Sequence, residues 1–267
     1  MVRSVRYGLA TLALVGAAQP VMALEVMPHR ALYVMSLESA KPSSGVINAT
    51  GTLGYEWGET CDGWTIEQRY DLSMQYEDDK PAKIGSSFVT WESKNGLSYR
   101  FNERKTRNGQ LEEEIRGEAT MKPNGGAGKA NFNKPKEQSF DLPPGSYFPT
   151  AHTLMLIHKA EAGEHYVPAQ VFDGSEFDGP VLVGTVIGNS IDKTLIAAGV
   201  KSPLVTRQGW PMRLAFFPDS SKSERPDYEL AMRLLDNGVS SEMTIDYGDY
   251  VVKAALQKIE SLPHPAC

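Results

Sequence analysis

Hydrophobic and polar positions alternate with a period of two over much of this chain, and turn dipeptides punctuate the alternation. The clearest run is Trp64 to Tyr76. Trp64, Ile66, Tyr70, Leu72, Met74 and Tyr76 share one face, while Thr65, Glu67, Arg69, Asp71, Ser73 and Gln75 share the other. Gln68 is the one polar residue on the apolar face. Successive side chains of a strand point to opposite sides, so this run predicts a half-buried strand long enough to curve around a core. Shorter alternations occur at Tyr33-Met35-Leu37, Leu97-Tyr99-Phe101, Ile115-Ala119-Met121, Val181-Val183 and Leu214-Phe216. Two more follow, at Tyr228-Leu230-Met232-Leu234 and Met243-Ile245-Tyr247. Between or beside them sit Asp62-Gly63, Asn95-Gly96, Asn108-Gly109, Asp173-Gly174, Asp178-Gly179 and Asn237-Gly238. The tightest hairpin turn needs positive φ at both central positions, which Asn-Gly and Asp-Gly supply. Strand, turn and strand at this spacing predict an all-β, antiparallel meander.

Two stretches depart from the pattern. Lys122 to Pro149 carries Pro123, Gly125-Gly126, Gly128, Pro135, Pro143-Pro144 and Pro149, with lysines between, and predicts a long surface loop. Thr150 then reads as the N-cap of a helix from about Ala151 to Glu161, with Leu154, Ile157 and Met155 facing inward. Such a helix either plugs the concave side of a curved sheet or lies at the sheet's end. The tail from Asp249 to Ser261 fits a helix through Val251, Val252, Ala255, Leu256 and Ile259. It also fits a strand through Tyr250, Val252, Ala254 and Leu256. Its closeness to the C-terminal cysteine favours a closing strand with a frayed end.

The first residues change the picture of everything after them. Arg3 and Arg6 precede an apolar stretch from Gly8 to Ala18, and Val21-Met22-Ala23 places small residues where a signal peptidase cuts. The expectation is an export signal over residues 1–23, with Ala18 as the alternative cleavage site. The apolar run is shorter than the ~20 residues a spanning helix needs, so the mature chain is expected to be a soluble, single β-rich domain over residues 24–267. Its charge becomes 25 minus 33, or −8, against 27 minus 33, or −6, for the whole chain. That balance argues against nucleic acid and anionic lipid as electrostatic partners.

The chain has two cysteines, Cys61 and Cys267, the second being its last residue. In an oxidising compartment two thiols pair more often than they stay free, and no Cys-x-x-Cys is present to tune a redox thiolate. The reading is a structural pair, the alternative being two unpaired thiols.

Candidate chemistry is sparse. His29, His152, His158, His165 and His264 form no His-Glu-x-x-His, and His152 and His158 do not share a helix face, so no metal is expected. In the acidic stretch Asp173 to Gly179, Phe177 stands where a calcium loop needs an oxygen ligand, and hairpin turns account for it better. Gly184 to Ser190 lacks the Gly-Lys-Ser/Thr of a phosphate loop, and there is no Gly-x-Ser-x-Gly elbow. Glu112-Glu113-Glu114 reads as a solvated strand face. No catalytic residue or cofactor is assigned.

Trp91-Glu92-Ser93-Lys94-Asn95-Gly96-Leu97-Ser98-Tyr99-Arg100-Phe101 places a Trp-Glu pair before a tight turn and alternating aromatics after it. This block resembles the motif of the EipB family of alphaproteobacterial periplasmic cell-envelope-integrity proteins. The likeness extends over the mature chain, including Tyr247-Gly248-Asp249-Tyr250 and one early cysteine matched to one at the C-terminus. Asn95 stands where the family's turn is expected to carry Asp, which preserves the turn. The resemblance implies a spiral-like, incompletely closed antiparallel β-barrel or cup, similar to the lipoprotein carriers of the Lol system. It also implies a structural disulfide between Cys61 and Cys267, and a signature hairpin of Trp91, Glu92, Asn95, Gly96, Tyr99 and Phe101. A monomeric, non-enzymatic periplasmic role in envelope integrity is implied too, with a tetratricopeptide-repeat protein as partner. Two other readings stand beside it: a carrier of a lipid or other apolar ligand held in the cup, and an outer-membrane barrel. The proline-rich segment and the candidate helix argue against the barrel.

Overall fold

In the computed structural model of the chain, residues 26–77, 80–191, 199–217 and 225–267 are described. The expected export signal at 1–23 lies outside them. The first half of the chain supplies β1 (His29–Ala40), β2 (Val46–Glu59), β3 (Gly63–Tyr76), β4 (Ala82–Ser93) and β5 (Ser98–Arg107). It continues through β6 (Gln110–Met121), β7 (Gly128–Lys134) and β8 (Gln138–Leu142). Helix α1 (Pro149–Glu161) follows. The second half then supplies β9 (Tyr166–Val171), β10 (Val181–Ile187), β11 (Gly209–Phe217), β12 (Tyr228–Leu235), β13 (Ser240–Asp246) and β14 (Tyr250–Ser261).

All 14 strands belong to one sheet, which is not closed into a barrel, with β8 at one edge and β9 at the other. The chain runs by antiparallel hairpins from the middle of the sheet to one edge and crosses through α1 to the opposite edge. It then returns to the middle, where β14 lies between β1 and β13. Twisted open sheets beyond about ten strands curl rather than stay flat. Here the curl brings distant parts of the sheet together: Phe172, just after β9, packs with Tyr99 and Phe101 of β5 and Phe132 of β7. The β9 edge is also tied to the segment leaving β8, because Tyr147 N–H donates to Gln170 O at 2.8 Å and Phe172 N–H donates to Tyr147 O at 3.0 Å.

The meander is as the alternation predicts, and Gln68 falls on the inward face of β3 among buried Ile66 and Leu72. Asn108 and Gly109, with φ of 52° and 79°, make the tight β5–β6 turn. Three expectations need correction. The segment from Lys122 to Pro149 is not a loop, since β7 and β8 occupy much of it. Ala130 and Phe132 are buried while Lys129, Asn131 and Asn133 are exposed, so a period of two was present beneath the glycines and prolines. Thr150 is not the N-cap: Phe148 holds that position, Pro149 takes the first helical turn, and Thr150 is buried inside the helix. The tail is a strand, but a central rather than a closing one.

The interior divides into a seam cluster on β1, β2, β3 and β14, a cluster joining α1 to β9–β12, and an aromatic cluster beneath β5–β8. In the aromatic cluster, Phe132 stands edge-on to Phe101, Phe140 and Phe177 at 5.0–5.4 Å. Each such ring removes enough apolar surface from water to contribute about 4 kcal/mol gross.

Gly174 is what lets the β9–β10 connection lie against this cluster. Its φ is +70°, and a Cβ there would sit 2.5–2.8 Å from the Phe101 ring. Gly174→Ala is expected to cost about 2–3 kcal/mol. Gly163→Ala, at φ +77° with open space around it, should cost only about 1 kcal/mol. Thermal unfolding followed by circular dichroism distinguishes the two; equal losses would show that the Phe101 contact is not what constrains Gly174.

Candidate functional site

Period-two geometry sets which residues face the inside of the curl. From β2 come Leu53, Tyr55 and Trp57, and from β3 Ile66 and Gln68. Opposite them stand Leu230, Met232 and Leu234 of β12 with Met243 and Ile245 of β13. Between these walls lies a cavity of about 280 Å³, with Pro149, Thr150 and Thr153 of α1 at one side. Its lining is mostly aliphatic and aromatic. Tyr33, also on the wall, donates its hydroxyl to Ser240 O at 2.7 Å, tying β1 to β13 across the interior. Trp57 is 2 % exposed, and its Nε1 has no hydrogen-bond partner among the described residues. The volume is close to the lower end of small-ligand sites, and apolar walls with a few polar atoms are their usual composition.

Helix α1 is held across the cup by the hairpin of β4 and β5. Glu92, 2 % exposed at the end of β4, accepts from Thr150 N–H at 2.7 Å on Oε2 and from Ala151 N–H at 2.8 Å on Oε1. A helix leaves its first N–H groups without intrahelical partners, and an acceptor there also meets the positive end of the helix dipole. The cap that Thr150 was expected to supply locally thus comes from a strand 58 residues away. Burial raises the Glu92 carboxyl to about 7, against the lowering effect of those backbone bonds.

The other signature residues divide around the same helix. Asn95 Oδ1 accepts from Leu97 N–H at 3.1 Å and shapes the turn, in which Gly96 has φ +66°. A Cβ on Gly96 would lie 3.3 Å from the Ala151 methyl, so the hairpin tip rests on the first turn of α1. Tyr99 stacks on Phe148, the residue entering the helix, at 5.0 Å between ring centroids. Its hydroxyl donates to Asp173 O at 2.7 Å. Phe101 belongs to the aromatic cluster. Trp91 faces the other way, with the Arg100 guanidinium 4.6 Å from its ring centroid. It borders an outer depression of about 790 Å³ that Arg116, Glu118 and Asn131 also line. The polar lining of that depression makes the inner cavity the better site for an apolar ligand.

Cys61, in the turn between β2 and β3, is bonded to Cys267 with 5.8 Å between Cα atoms. The tail has two further anchors: Leu262 N–H donates to Pro28 O at 2.8 Å, and His264 Nδ1 lies 2.7 Å from Glu59 Oε2. The tail therefore runs from β14 past β1 to the end of β2 and straps the seam between the two halves of the sheet.

The histidines are scattered. His29 and His152 are buried, His165 Nδ1 lies 2.9 Å from Ile187 O, and His158 is exposed. Among the described residues no three His, Cys, Asp or Glu side chains come together as a metal site. No helix among them is long and apolar enough to cross a membrane. Asp173 to Gly179 forms one connection between β9 and β10 rather than paired hairpins, and Gly184 to Ile187 lies within β10. Sequence reasoning did not read β2 as a strand, because its three glycines break the alternation.

An open antiparallel β-sheet strapped by a disulfide, with a helix at one side of an apolar cavity, defines a fold of the β-cup kind. The chain belongs to the EipB-like family, whose profile matches residues 20–263. It is 32% identical over 248 residues to the cell envelope integrity protein EipB of Brucella abortus (strain 2308), covering 92% of this chain and 88% of the relative. The fold is also that of a crystal structure from Brucella abortus, described as a β-barrel-like protein of a domain of unknown function. The TM-score is 0.82 at 30% identity, covering 90% of this chain and 100% of that one.

Proposed function

We propose that this chain is exported to the periplasm and supports cell-envelope integrity without catalysing a reaction, by holding an apolar ligand inside the β-cup. Its relative is named for envelope integrity. The observation that carries the ligand reading is the cavity of about 280 Å³ between β2–β3 and β12–β13, lined by Leu53, Leu230, Met232 and Ile245 rather than filled by them. Packed interiors hold few voids larger than a water molecule, so an apolar space of this size suits an acyl chain better than solvent.

A second reading, docking of a periplasmic tetratricopeptide-repeat protein to a monomeric cup, draws support from a different face. Tyr166 and Val186 pair across β9 and β10 at the sheet edge and are 62% and 55% exposed. Gentle purification of the exported protein, followed by lipid mass spectrometry and periplasmic crosslinking, separates the two. A co-purifying lipid at near one per chain is expected. Spectra free of lipid with a crosslinked protein partner would reject the ligand reading in favour of docking.

A further inference from the structure

Two polar side chains face the cavity side by side with nothing in the protein to bind them. Tyr55 of β2 stands directly opposite Gln68 of β3 in the ladder, and both line the cavity. Directly opposed residues of an antiparallel pair share one face of the sheet, with Cβ atoms about 5 Å apart. Among the described residues neither the Tyr55 hydroxyl nor the Gln68 amide has a hydrogen-bond partner. Trp57, two residues along β2 and on the same wall, leaves its Nε1–H unpartnered as well. Elsewhere on the wall the hydroxyls are engaged: Tyr33 donates to Ser240 O at 2.7 Å and Thr153 Oγ1 to Pro149 O at 2.9 Å.

Interior polar groups almost always have partners, and one without a partner costs free energy. Gln68 sits beside buried Ile66 on a face that is otherwise apolar, so its amide answers to what enters the cavity. A phenol O–H, an amide NH₂ and an indole N–H are all donors, and the group that suits them in common is an acceptor. No Asp, Glu, Lys, Arg or His is among the described residues that line the cavity. A carboxylate or phosphate would lose its hydration there with no cation to offset the loss. An uncharged carbonyl offers two lone pairs without that penalty, and an ester or amide linkage places one at the end of an apolar tail.

We infer that Tyr55 and Gln68 are the polar anchor of the cavity, receiving the ester or amide carbonyl of an acyl chain whose tail lies among Leu53, Leu230, Met232 and Ile245. The inference rests on the apolar-ligand reading above and names the group by which the ligand is held.

The test is isothermal titration calorimetry of the full exported chain, disulfide intact, at neutral pH. The probes share one chain length and are kept below their aggregation concentrations. Monodecanoylglycerol carries an ester carbonyl and N-decanoylethanolamine an amide carbonyl, 1-O-decylglycerol has neither, and decanoate is charged. The ester and the amide are each expected to bind about tenfold more tightly than the ether, the tighter of the two naming the linkage, and decanoate more weakly than the ether. Tyr55→Phe and Gln68→Leu should each lower the ester and amide affinities about three- to tenfold and leave the ether affinity unchanged. Neither side chain makes a hydrogen bond within the described protein, so without ligand both variants should melt no lower than wild type. Variants that melt lower yet bind the ester as wild type does would assign the pair to the fold and overturn the anchor. Equal affinities for ester, amide and ether, or decanoate bound as tightly as the ester, would overturn it too while leaving the apolar cavity in place. Failure of every probe to bind would overturn the anchor and the ligand reading together.

Discussion

Replacing Cys61 by serine, or reducing the disulfide before unfolding, is expected to lower the stability of this chain by up to about 5 kcal/mol. Cys61 and Cys267 are separated by 206 residues, and closing so long a loop removes much of the unfolded chain's freedom. The same change releases the tail that straps β14 to the end of β2 across β1. For a domain of this size each kcal/mol corresponds to roughly 2–4 °C, so the melting temperature should fall by about 10–20 °C. The folded spectrum at 20 °C should persist, because the hydrogen-bonded ladders of β1 with β2 and β14 do not pass through the bridge. Thermal and urea unfolding of the oxidised and reduced forms provide the measurement. A loss below about 1 kcal/mol would mean that the strap adds little beyond the sheet itself.

Glu92→Gln is expected to change the pH dependence of stability more than any other single substitution in the cup. The Glu92 carboxyl is raised to about 7 in the folded chain from an ordinary value of 4.5, chiefly by burial. The folded state therefore holds a proton on Glu92 that the unfolded state has released between about pH 4.5 and 7. Stability from this group is fully present below about 4.5 and is lost as pH rises through about 7, a total of about 3 kcal/mol. His152, lowered to about 4 by burial, contributes the opposite slope between about 4 and 6.5. The informative quantity is for that reason the difference between wild type and Glu92→Gln, not the wild-type curve alone. Glutamine keeps the shape and one acceptor for the helix N–H groups, and it does not titrate. The stability of wild type relative to Glu92→Gln should fall by about 3 kcal/mol from pH 4.5 to 8, as read from urea denaturation midpoints. A difference independent of pH would show that the carboxylate is already charged at the helix terminus throughout that range.

How far the fold was legible depended on range. β3 could be read because its apolar face runs from Trp64 to Tyr76 with Gln68 as the one exception, and a local period of two needs no partner to be seen. The same period in β7, with Ala130 and Phe132 inward, was masked by glycines and prolines that belong to its flanking turns. Capping of α1 was not legible as structure at all, although Glu92 was singled out as part of a motif. An acceptor 58 residues away leaves no mark at the helix's own start, where Thr150 offered a local and wrong answer. The disulfide could be expected from two cysteines and an export signal, but not where it lands. Only the pairing of β14 between β1 and β13 shows that the tail crosses the seam rather than an edge.

The cavity lies at the far end of that scale. Whether facing side chains from β2–β3 and β12–β13 fill the space between them depends on the curvature of the whole sheet. One trace in the sequence was Gln68, a polar residue on an apolar face, which lines the cavity wall.

Filling the cavity and asking whether the cell envelope still holds is the decisive experiment. Ile245→Trp places an indole in the space between β3 and β13 without touching Glu92, the disulfide or the sheet edges. In cells lacking the native chain, the variant is expected to be exported, oxidised and folded, with a melting temperature within a few degrees of wild type, yet to leave the cells as detergent-sensitive as the deletion. Full protection of the envelope by a folded Ile245→Trp protein would contradict a role for the hollow interior and move the function to the outer surface.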